Sequence, residues 1–381
     1  MAATDQEKRP LHSLWLAAAA LLPSATEAAV VPEDRADAMY HSYDGGGVEI
    51  TGPSLLARKQ LSKNVSMSGK YYVDSISGAS IDVVTTASPY KEERKELGAT
   101  LDMVEDDVSL TGGYTKSNEN DYTANTAFIS FSQEVFGNMT TVSMGYSRGW
   151  DEVGKRNDDT FSKEVDRQNY RLGIGQVLSK NAIASVNFET VTDEGYLNNP
   201  YRSVRYLSGD TYAYQPEVYP NTRTSTAVSF NIMYYLEYAA SVSGTYRTTH
   251  DSWGINGQTF ELGYQQRWRQ KWIYGGRVRM YQQNHADFYS DLYPYENARN
   301  YLGRDKELST FDNTGVGASV TYEFPAAGVK WIKKSTVNLI YDHIRFQYDD
   351  FRDLRVSATP GQEPLYEFSA NVLQLFVSVW Y

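Results

Sequence analysis

Hydrophobic and polar residues alternate with a period of two through most of this chain. In 260–265 (FELGYQ) and 316–324 (VGASVTYEF), the even-numbered residues are apolar, whereas the odd-numbered residues are small or polar. Strict alternation over several residues is typical of a β-strand with one apolar and one polar face. The same pattern recurs from the region of Ala38 to the last residue, so the sequence predicts an all-β protein.

Short connections alternate with longer polar ones. Residues typical of turns occur at 62–64, 105–107, 136–138, 179–181, 236–238 and 269–271. The longest polar stretches lie near 194–222 and 287–311, and we expect them to be extracellular loops. Tight turns at one end and long loops at the other are typical of bacterial outer-membrane barrels, whereas a soluble β-sandwich need not separate its loops this way.

The periodic segments give about sixteen strands of roughly ten residues, the length that crosses a membrane at a tilt. Fourteen or eighteen strands also fit, because the pattern is weaker at 43–47, 128–135 and 325–333. The sequence therefore predicts a transmembrane antiparallel up-and-down β-barrel that forms one domain, residues 29–381.

The two ends of the chain agree with this interpretation. Residues 1–28 resemble a cleavable signal peptide, with an apolar run at 14–22 (LWLAAAALL) followed by small residues. The last strand has an apolar face that continues to the final residue, which a closed barrel permits because its last strand pairs with its first. This face resembles the signal read by the outer-membrane assembly machinery, and we expect that role for Leu373, Leu375, Val377, Val379 and Tyr381. Phe376 and Trp380, on the other face of this strand, are apolar too.

Composition restricts the function. The 31 tyrosines and 28 glycines suit strands and an interfacial aromatic belt. The chain has no cysteine, which excludes disulfides and thiol chemistry, and its net charge of −11 argues against a nucleic-acid partner. We therefore expect a protein of the outer membrane of a Gram-negative bacterium, in contact with outer-membrane lipid.

The histidines offer no catalytic arrangement in the sequence. His41, His250, His285 and His343 lie in separate segments, and we expect isolated loop or belt histidines. Asp342 precedes His343, but adjacent strand residues point to opposite faces. We predict no catalytic residue, no metal site and no cofactor, and hence no enzyme; an enzyme that acts on lipid is the least favoured alternative.

Charged residues on the face opposite the apolar one are better candidates for function. They are Lys70, Asp74, Glu96, Asp102, Arg171, Glu189, Arg247, Glu261, Arg277, Arg279 and Glu323. In a barrel they would line the lumen, either as a network of salt bridges that stiffens the wall or as a surface for ion selectivity or partner docking. The sequence does not separate these two interpretations.

Two stretches stand outside the alternating pattern, VDSISGAS at 73–80 and SNENDY at 117–122. They resemble motifs of a proteobacterial outer-membrane barrel family known only as domain of unknown function three-five-seven-zero. Members are often associated with a flavin transferase and a small flavin-carrying lipoprotein. The resemblance therefore implies a role in extracytosolic electron transfer, with that lipoprotein or a periplasmic redox protein as partner.

Two functions remain open at this point. The first is a channel or transporter for small solutes, including a passive general porin, because a sixteen-stranded barrel is wide enough for an aqueous lumen. The second is a sheath that holds the redox partner across the membrane.

Overall fold

The computed structural model describes residues 30–78, 90–325 and 331–381, so the predicted signal peptide lies outside the described residues. Within those residues, sixteen strands form a closed antiparallel barrel, and two more form a separate hairpin. The barrel strands are β1 (Arg35–Gly45), β2 (Val48–Gln60), β3 (Val65–Gly78), β4 (Tyr90–Glu105), β5 (Val108–Asn118), β6 (Tyr122–Val135), β7 (Thr140–Gly154), β8 (Ser162–Ser179), β9 (Ala182–Gly195), β12 (Thr222–Leu236), β13 (Ala240–Asp251), β14 (Asn256–Trp268), β15 (Trp272–Gln283), β16 (Phe311–Pro325), β17 (Lys334–Arg352) and β18 (Leu365–Trp380). The hairpin consists of β10 (Ser203–Ser208) and β11 (Thr211–Pro216).

The first and last strands close the barrel. β1 pairs with β18 in a register that runs from Arg35 opposite Trp380 to Gly45 opposite Ala370. Each barrel strand therefore has two hydrogen-bonded neighbours, which satisfies the backbone polar groups where water is absent. The prediction of a sixteen-stranded antiparallel barrel is confirmed.

The outer face of the barrel is an apolar belt. Leu262, Val278 and Val316 are neighbours in register and are 49%, 40% and 57% exposed. Such exposure of large apolar side chains suits a surface whose surroundings are lipid. Among the described residues, no helix is long and apolar enough to cross a membrane.

Aromatic side chains lie at both edges of this belt. At one edge, the rings of Trp272 and Tyr322 are 4.6 Å apart between centroids. At the other edge, the Tyr146 and Tyr170 rings are 5.1 Å apart. Aromatic rings prefer the two membrane interfaces, so these pairs indicate where the belt begins and ends.

Short turns join the strands at the end of the barrel where the chain terminates. The six predicted short turns are confirmed; the connections are 61–64, 106–107, 136–139, 180–181, 237–239 and 269–271. Several need a left-handed backbone, as at Asp106 (φ 49°), Asn138 (φ 65°) and Gln270 (φ 63°). We call this the turn end.

At the opposite end, the loop end, two long connections fold onto the barrel. Residues 196–221 carry the β10–β11 hairpin, and residues 284–310 contain a short 3₁₀ helix, Lys306–Leu308. We call these two segments together the cap. Cap side chains and strand side chains share one hydrophobic core, which consists of Tyr219, Trp253, Ile255, Ala286, Phe288, Tyr289, Leu308, Tyr348, Phe351 and Tyr366. Tyr348 and Tyr366 point away from the lipid face, so the cap packs against the inner side of the wall.

Buried ion pairs hold the cap together. Arg205 of the hairpin is 0% exposed and pairs with Asp291 of the second cap segment and with Glu363 of the β17–β18 connection. Its Nη1 atom lies 2.5 Å from Glu363 Oε1. Arg304 also pairs with Asp291, at 2.8 Å. These charges join three connections that are far apart in the chain.

Candidate functional site: the inner wall of the barrel

The predicted lumen residues all lie on the face opposite the apolar belt. They belong to β3 (Lys70, Asp74), β4 (Glu96, Asp102), β8 (Arg171), β9 (Glu189), β13 (Arg247), β14 (Glu261), β15 (Arg277, Arg279) and β16 (Glu323). Strand pairing aligns these residues with other polar residues of the inner face; Glu261, for example, lies opposite Arg279. Their role in selectivity or docking remains a prediction.

One group is centred on Glu189. Its Oε1 atom accepts from Arg171 Nε at 3.0 Å and from Asn169 Nδ2 at 3.0 Å, and its Oε2 atom accepts from Arg247 Nη2 at 2.7 Å. Arg247 reaches Glu189 from β13 across β12. The carboxylate thus links β8, β9 and β13 of the wall, and it is shared by two guanidinium groups.

A second group lies on β15 to β17. Arg277 makes a two-pronged contact with Asp342, with Nε–Oδ1 at 2.8 Å and Nη2–Oδ2 at 2.6 Å. The guanidinium crosses β16 over Gly317, where an added Cβ would overlap the Asp342 carboxylate. Asp342 was not among the predicted site residues. The alternation of β17 could have identified it, because Asp342 must point inward if the next residue, His343, points outward.

Arg279 differs from Arg277, the other inner arginine of this group. Within the part of the chain that the structure describes, no carboxylate lies within 4.0 Å of its guanidinium nitrogens. Glu261 is its partner in register, but the two side chains form no ion pair. A guanidinium without an ion pair needs water or an anion as its partner.

The remaining predicted residues form separate pairs. Lys70 contacts Glu96 at 3.1 Å, and Asp102 accepts from the Thr111 hydroxyl at 3.0 Å. Glu323 pairs with Arg267 at 3.0 Å near the turn end. The structure therefore brings together the Lys70–Glu96 pair and the Glu189 group, but it does not gather all eleven residues into one site.

The expectation of isolated histidines is wrong for His41. This side chain is 8% exposed, and its Nε2 atom lies 2.7 Å from Oδ1 of Asp74, which is 0% exposed. The His41 ring stacks on Tyr72 with centroids 5.0 Å apart. β1 and β3 lie on either side of β2, and Gly52 on β2 leaves room between His41 and Asp74. The signal that was missed is that His41 and Asp74 both point inward, on the two strands that flank the inward-facing Gly52.

The other histidines make local polar contacts, and two of them lie near the loop end. His250 lies 2.9 Å from Asn256, and His285 lies 2.8 Å from Asp350. His343 points outward, 2.9 Å from Asn371, whereas Asp342 points inward as expected. Among the described residues, no group of three or more His, Asp or Glu side chains could hold a metal ion.

The two sequence motifs both contact β4, near the loop end. Asp74 of the first motif pairs with Arg94 at 3.2 Å. In the second motif, Asp121 accepts a hydrogen bond from the hydroxyl of Tyr201 in the cap at 2.5 Å. The backbone amide of Asn120 donates to the Glu92 carboxylate of β4 at 3.4 Å. Burial and the nearby Glu92 raise the pKa of Glu119 to about 8. Residues 79 and 80 of the first motif lie outside the described residues.

A closed barrel with an apolar outer belt, two aromatic edges and an ionised inner wall defines a transmembrane β-barrel of the outer membrane. The chain belongs to the family described as protein of unknown function (DUF3570), whose model matches residues 81–337. The match includes the motif at 117–122, and the motif at 73–80 lies directly before it.

Solved structures with the same general architecture are remote. A bacterial polysaccharide outer membrane secretin is 6% identical, with 92% of this chain and 99% of that chain covered and a TM-score of 0.49. OmpT of Vibrio cholerae is 10% identical, with 91% and 97% covered and a TM-score of 0.43. OccD3 (OpdP) of Pseudomonas aeruginosa is 10% identical, with 94% of each chain covered and a TM-score of 0.44. These likenesses are too remote to indicate a function, and no curated protein matches the chain.

Proposed function

We propose that this protein is a channel that lets small hydrophilic solutes cross the outer membrane. The observation that carries the proposal is the ionised inner wall of a closed sixteen-stranded barrel. A barrel of this strand number is wide enough to hold water, and charged side chains on an inner wall need water or partners to offset their desolvation. Arg279, which has no ion pair among the described residues, is the clearest case.

The cap narrows the proposed channel at the loop end. Its second segment packs on inward side chains of β17 and β18, and Gln283 Nε2 of β15 donates to the Ser309 carbonyl at 2.9 Å. The inner wall near β15 to β18 is therefore covered at this end. The first cap segment also reaches the β5 to β8 side, where Tyr201 donates to Asp121 and the Tyr196 amide donates to the Glu164 carbonyl. We expect a conductance below that of an unobstructed barrel of equal width.

Conductance in a planar bilayer tests the proposal. The purified barrel should give stable current steps without any partner. The double variant Arg277→Ala/Arg279→Ala should shift ion selectivity toward cations, because it removes local positive field from the lumen. Arg148→Ala is the control, because Arg148 lies on the outer face and pairs with Asp166 there. A well-folded barrel that carries no current would contradict the proposal.

The same conductance experiment distinguishes the channel from the alternative function, a sheath for a redox partner. A barrel that holds a flavin-carrying lipoprotein or a periplasmic redox protein would conduct little alone and would retain that partner during purification. The double arginine variant would then weaken partner retention and leave conductance low. No contact in the described residues favours this alternative over a channel.

Two further parts of the proposal concern chemistry and assembly. We propose that the chain is not an enzyme, and release of fatty acids from phospholipid or lipopolysaccharide by the purified barrel would contradict this. We also propose that the outward residues Leu373, Leu375, Val377 and Val379 of β18, together with Tyr381 directly after it, act as the assembly signal. Tyr381→Asp should then reduce insertion into the outer membrane in cells.

A further inference from the structure

Strand β18 differs from other barrel strands because both of its faces are largely apolar. Its inward positions include Phe368, Val372 and Phe376, and the neighbouring β17 adds Ile340, Ile344 and Phe346. We call these six residues the inner strip. By contrast, the inward positions of β13 are Ser241, Ser243, Thr245, Arg247, Thr249 and Asp251. An aqueous lumen gives no reason for an apolar strip, because inner walls of such barrels are usually polar.

The inner strip is partly accessible along its length. All six side chains are only partly buried. At the loop end, the Phe346 and Phe368 rings stack 4.5 Å apart and pack against the core that the cap shares with the wall. Its loop end thus adjoins a surface that already binds apolar groups of this chain, whereas below the cap Val372 and Phe376 lie opposite polar residues of β17.

A positive charge lies beside the strip. Arg279 on β15 is opposite Gly315 on β16, which is in turn opposite Ile344 of the strip. Glycine leaves the space between Arg279 and Ile344 without a side chain. Two strand spacings separate them, a span of about 10 Å. Glu261, the nearest acid in register, lies on the far side of Arg279 from the strip.

Near the middle of the strip, Arg277 and Asp342 satisfy each other. Asp342 is the register partner of Val372, and both of its oxygens contact the Arg277 guanidinium. Arg279 therefore remains as the cation that is free to bind an anion at this wall, as judged from the described residues.

We propose that Arg279 and the inner strip together bind solutes in which a carboxylate is joined to an aromatic or branched aliphatic body. The proposal rests on the proposed channel function, because such solutes must reach the lumen from water. The planar guanidinium binds the carboxylate with two hydrogen bonds, and the body covers the strip. A small carboxylate can bind Arg279 but has no apolar body to cover the inner strip. An uncharged aromatic compound can cover the strip but has no carboxylate for Arg279.

Equilibrium binding to the purified barrel in detergent tests the proposal without conductance. The probes are 3-phenylpropionate, propionate and 3-phenylpropanol, measured by ligand-observed NMR in competition. We expect 3-phenylpropionate to bind at least about tenfold more tightly than either of the others. Equal affinity for all three probes would overturn the proposal.

Three variants locate the binding. Arg279→Gln should weaken 3-phenylpropionate binding about tenfold, with little change for 3-phenylpropanol. Ile344→Thr should weaken 3-phenylpropionate binding about threefold, with little change for propionate. Arg345→Gln is the matched control, because Arg345 follows Ile344 on the same strand but points outward and pairs with Glu367. Slower gel migration after boiling verifies that each variant is folded. An equal loss in Arg345→Gln would overturn the assignment to the inner wall.

Bilayer recordings separate this inference from the proposed function. If both hold, 3-phenylpropionate reduces the current at about tenfold lower concentration than propionate. Selective binding without any conductance would support the inner strip and contradict the channel. Conductance without discrimination between the two acids would support the channel and overturn the inference.

Discussion

The two ends of the barrel are held together by different kinds of interaction. At the turn end, six connections of two to four residues join neighbouring strands, and several residues adopt positive φ, such as Phe136 at 55° and Ala239 at 58°. At the loop end, the cap encloses a hydrophobic core and buried ion pairs. The turn end is therefore specified by local backbone geometry, whereas the loop end depends on contacts between distant side chains.

The difference is clearest in the sequence separation of the contacts. Arg205 and Glu363 are 158 residues apart, and Arg205 and Asp291 are 86 apart. At the turn end, by contrast, the Leu61 amide donates to the Val65 carbonyl four residues later. The loop end should therefore be sensitive to loss of a single charge, and the turn end should respond mainly to backbone substitutions.

The largest effect is expected from Arg205→Ala at the loop end. Removal of this fully buried guanidinium leaves the Glu363 carboxylate buried without its partner and should destabilise the closed cap by about 3–5 kcal/mol. Amide hydrogen exchange in residues 203–216 should accelerate, while exchange in the barrel strands stays slow.

Arg355→Ala is the control for this prediction. Arg355 pairs with Asp353 at the same end, but its side chain is 51% exposed. An exposed pair contributes about 1 kcal/mol or less, so exchange in the hairpin should not change. If both variants opened the cap equally, buried charge would not be what holds the loop end together.

A smaller effect concerns Glu119, in the β5–β6 connection at the loop end. Because burial and Glu92 raise its pKa to about 8 from 4.5, the folded form retains the proton in a pH range where the unfolded form has lost it. Stability of this connection should therefore fall as pH rises from about 4.5 to about 8, because the folded form must then give up a proton that the unfolded form has already lost. Protease sensitivity of the connection at pH 5 and pH 8 measures this, and Glu119→Gln should remove the dependence. A dependence that persists in the variant would assign it to another group.

At the turn end, Tyr381 is expected to contribute less. Its hydroxyl donates to the Arg58 carbonyl at 2.9 Å, and its amide donates to the Asp34 carbonyl at 3.2 Å, so it joins β18 to the start of β1 and to β2. Tyr381→Phe removes one hydrogen bond and should lower the free energy of unfolding by about 0.5–1.5 kcal/mol. Urea unfolding in lipid vesicles measures the change.

Tyr274→Phe is the control at the same end. Among the described residues, the Tyr274 hydroxyl makes no hydrogen bond, so its removal should leave the unfolding midpoint unchanged. Equal shifts in the two variants would show that the measured effect is a property of interfacial tyrosines and not of the contact with Arg58.

The turn end and the loop end also differ in how much of their structure the sequence predicts. Strand alternation and turn residues are local signals, so the sixteen strands, the six short turns and the inward face of residues such as Arg171 could be read from the sequence. The cap could not, because no local pattern indicates that Arg205 meets Glu363. The His41–Asp74 pair was missed for the same reason, since it requires the register of three strands.

The inner strip was missed for a different reason. Phe376 and Trp380 are visibly apolar in the sequence, but one strand with two apolar faces is compatible with burial on both sides. Only the pairing of β18 with β17 places Phe376 and Val372 on the same inner surface as Ile344. Which residues point inward can thus be predicted from one strand alone. Which inward residues lie side by side can be predicted only when the order and register of the strands are known.

The smallest expected effect is a gain in stability from Ala239→Gly at the turn end. Ala239 lies in the 237–239 connection with φ 58°, a left-handed conformation that a residue with a Cβ adopts at a cost and glycine adopts freely. Its carbonyl accepts from the Arg267 amide at 3.0 Å, so the conformation is held by the neighbouring turn. Glycine should raise the free energy of unfolding by about 0.5 kcal/mol, because relief of strain exceeds the added freedom of the unfolded chain.

Ala240→Gly, one residue later in β13, should instead lower the free energy of unfolding by about 0.5–1 kcal/mol, since Ala240 is buried in a strand. Urea unfolding of both variants under one set of conditions should give opposite signs, and a loss in both would mean that backbone strain does not set the stability of this turn.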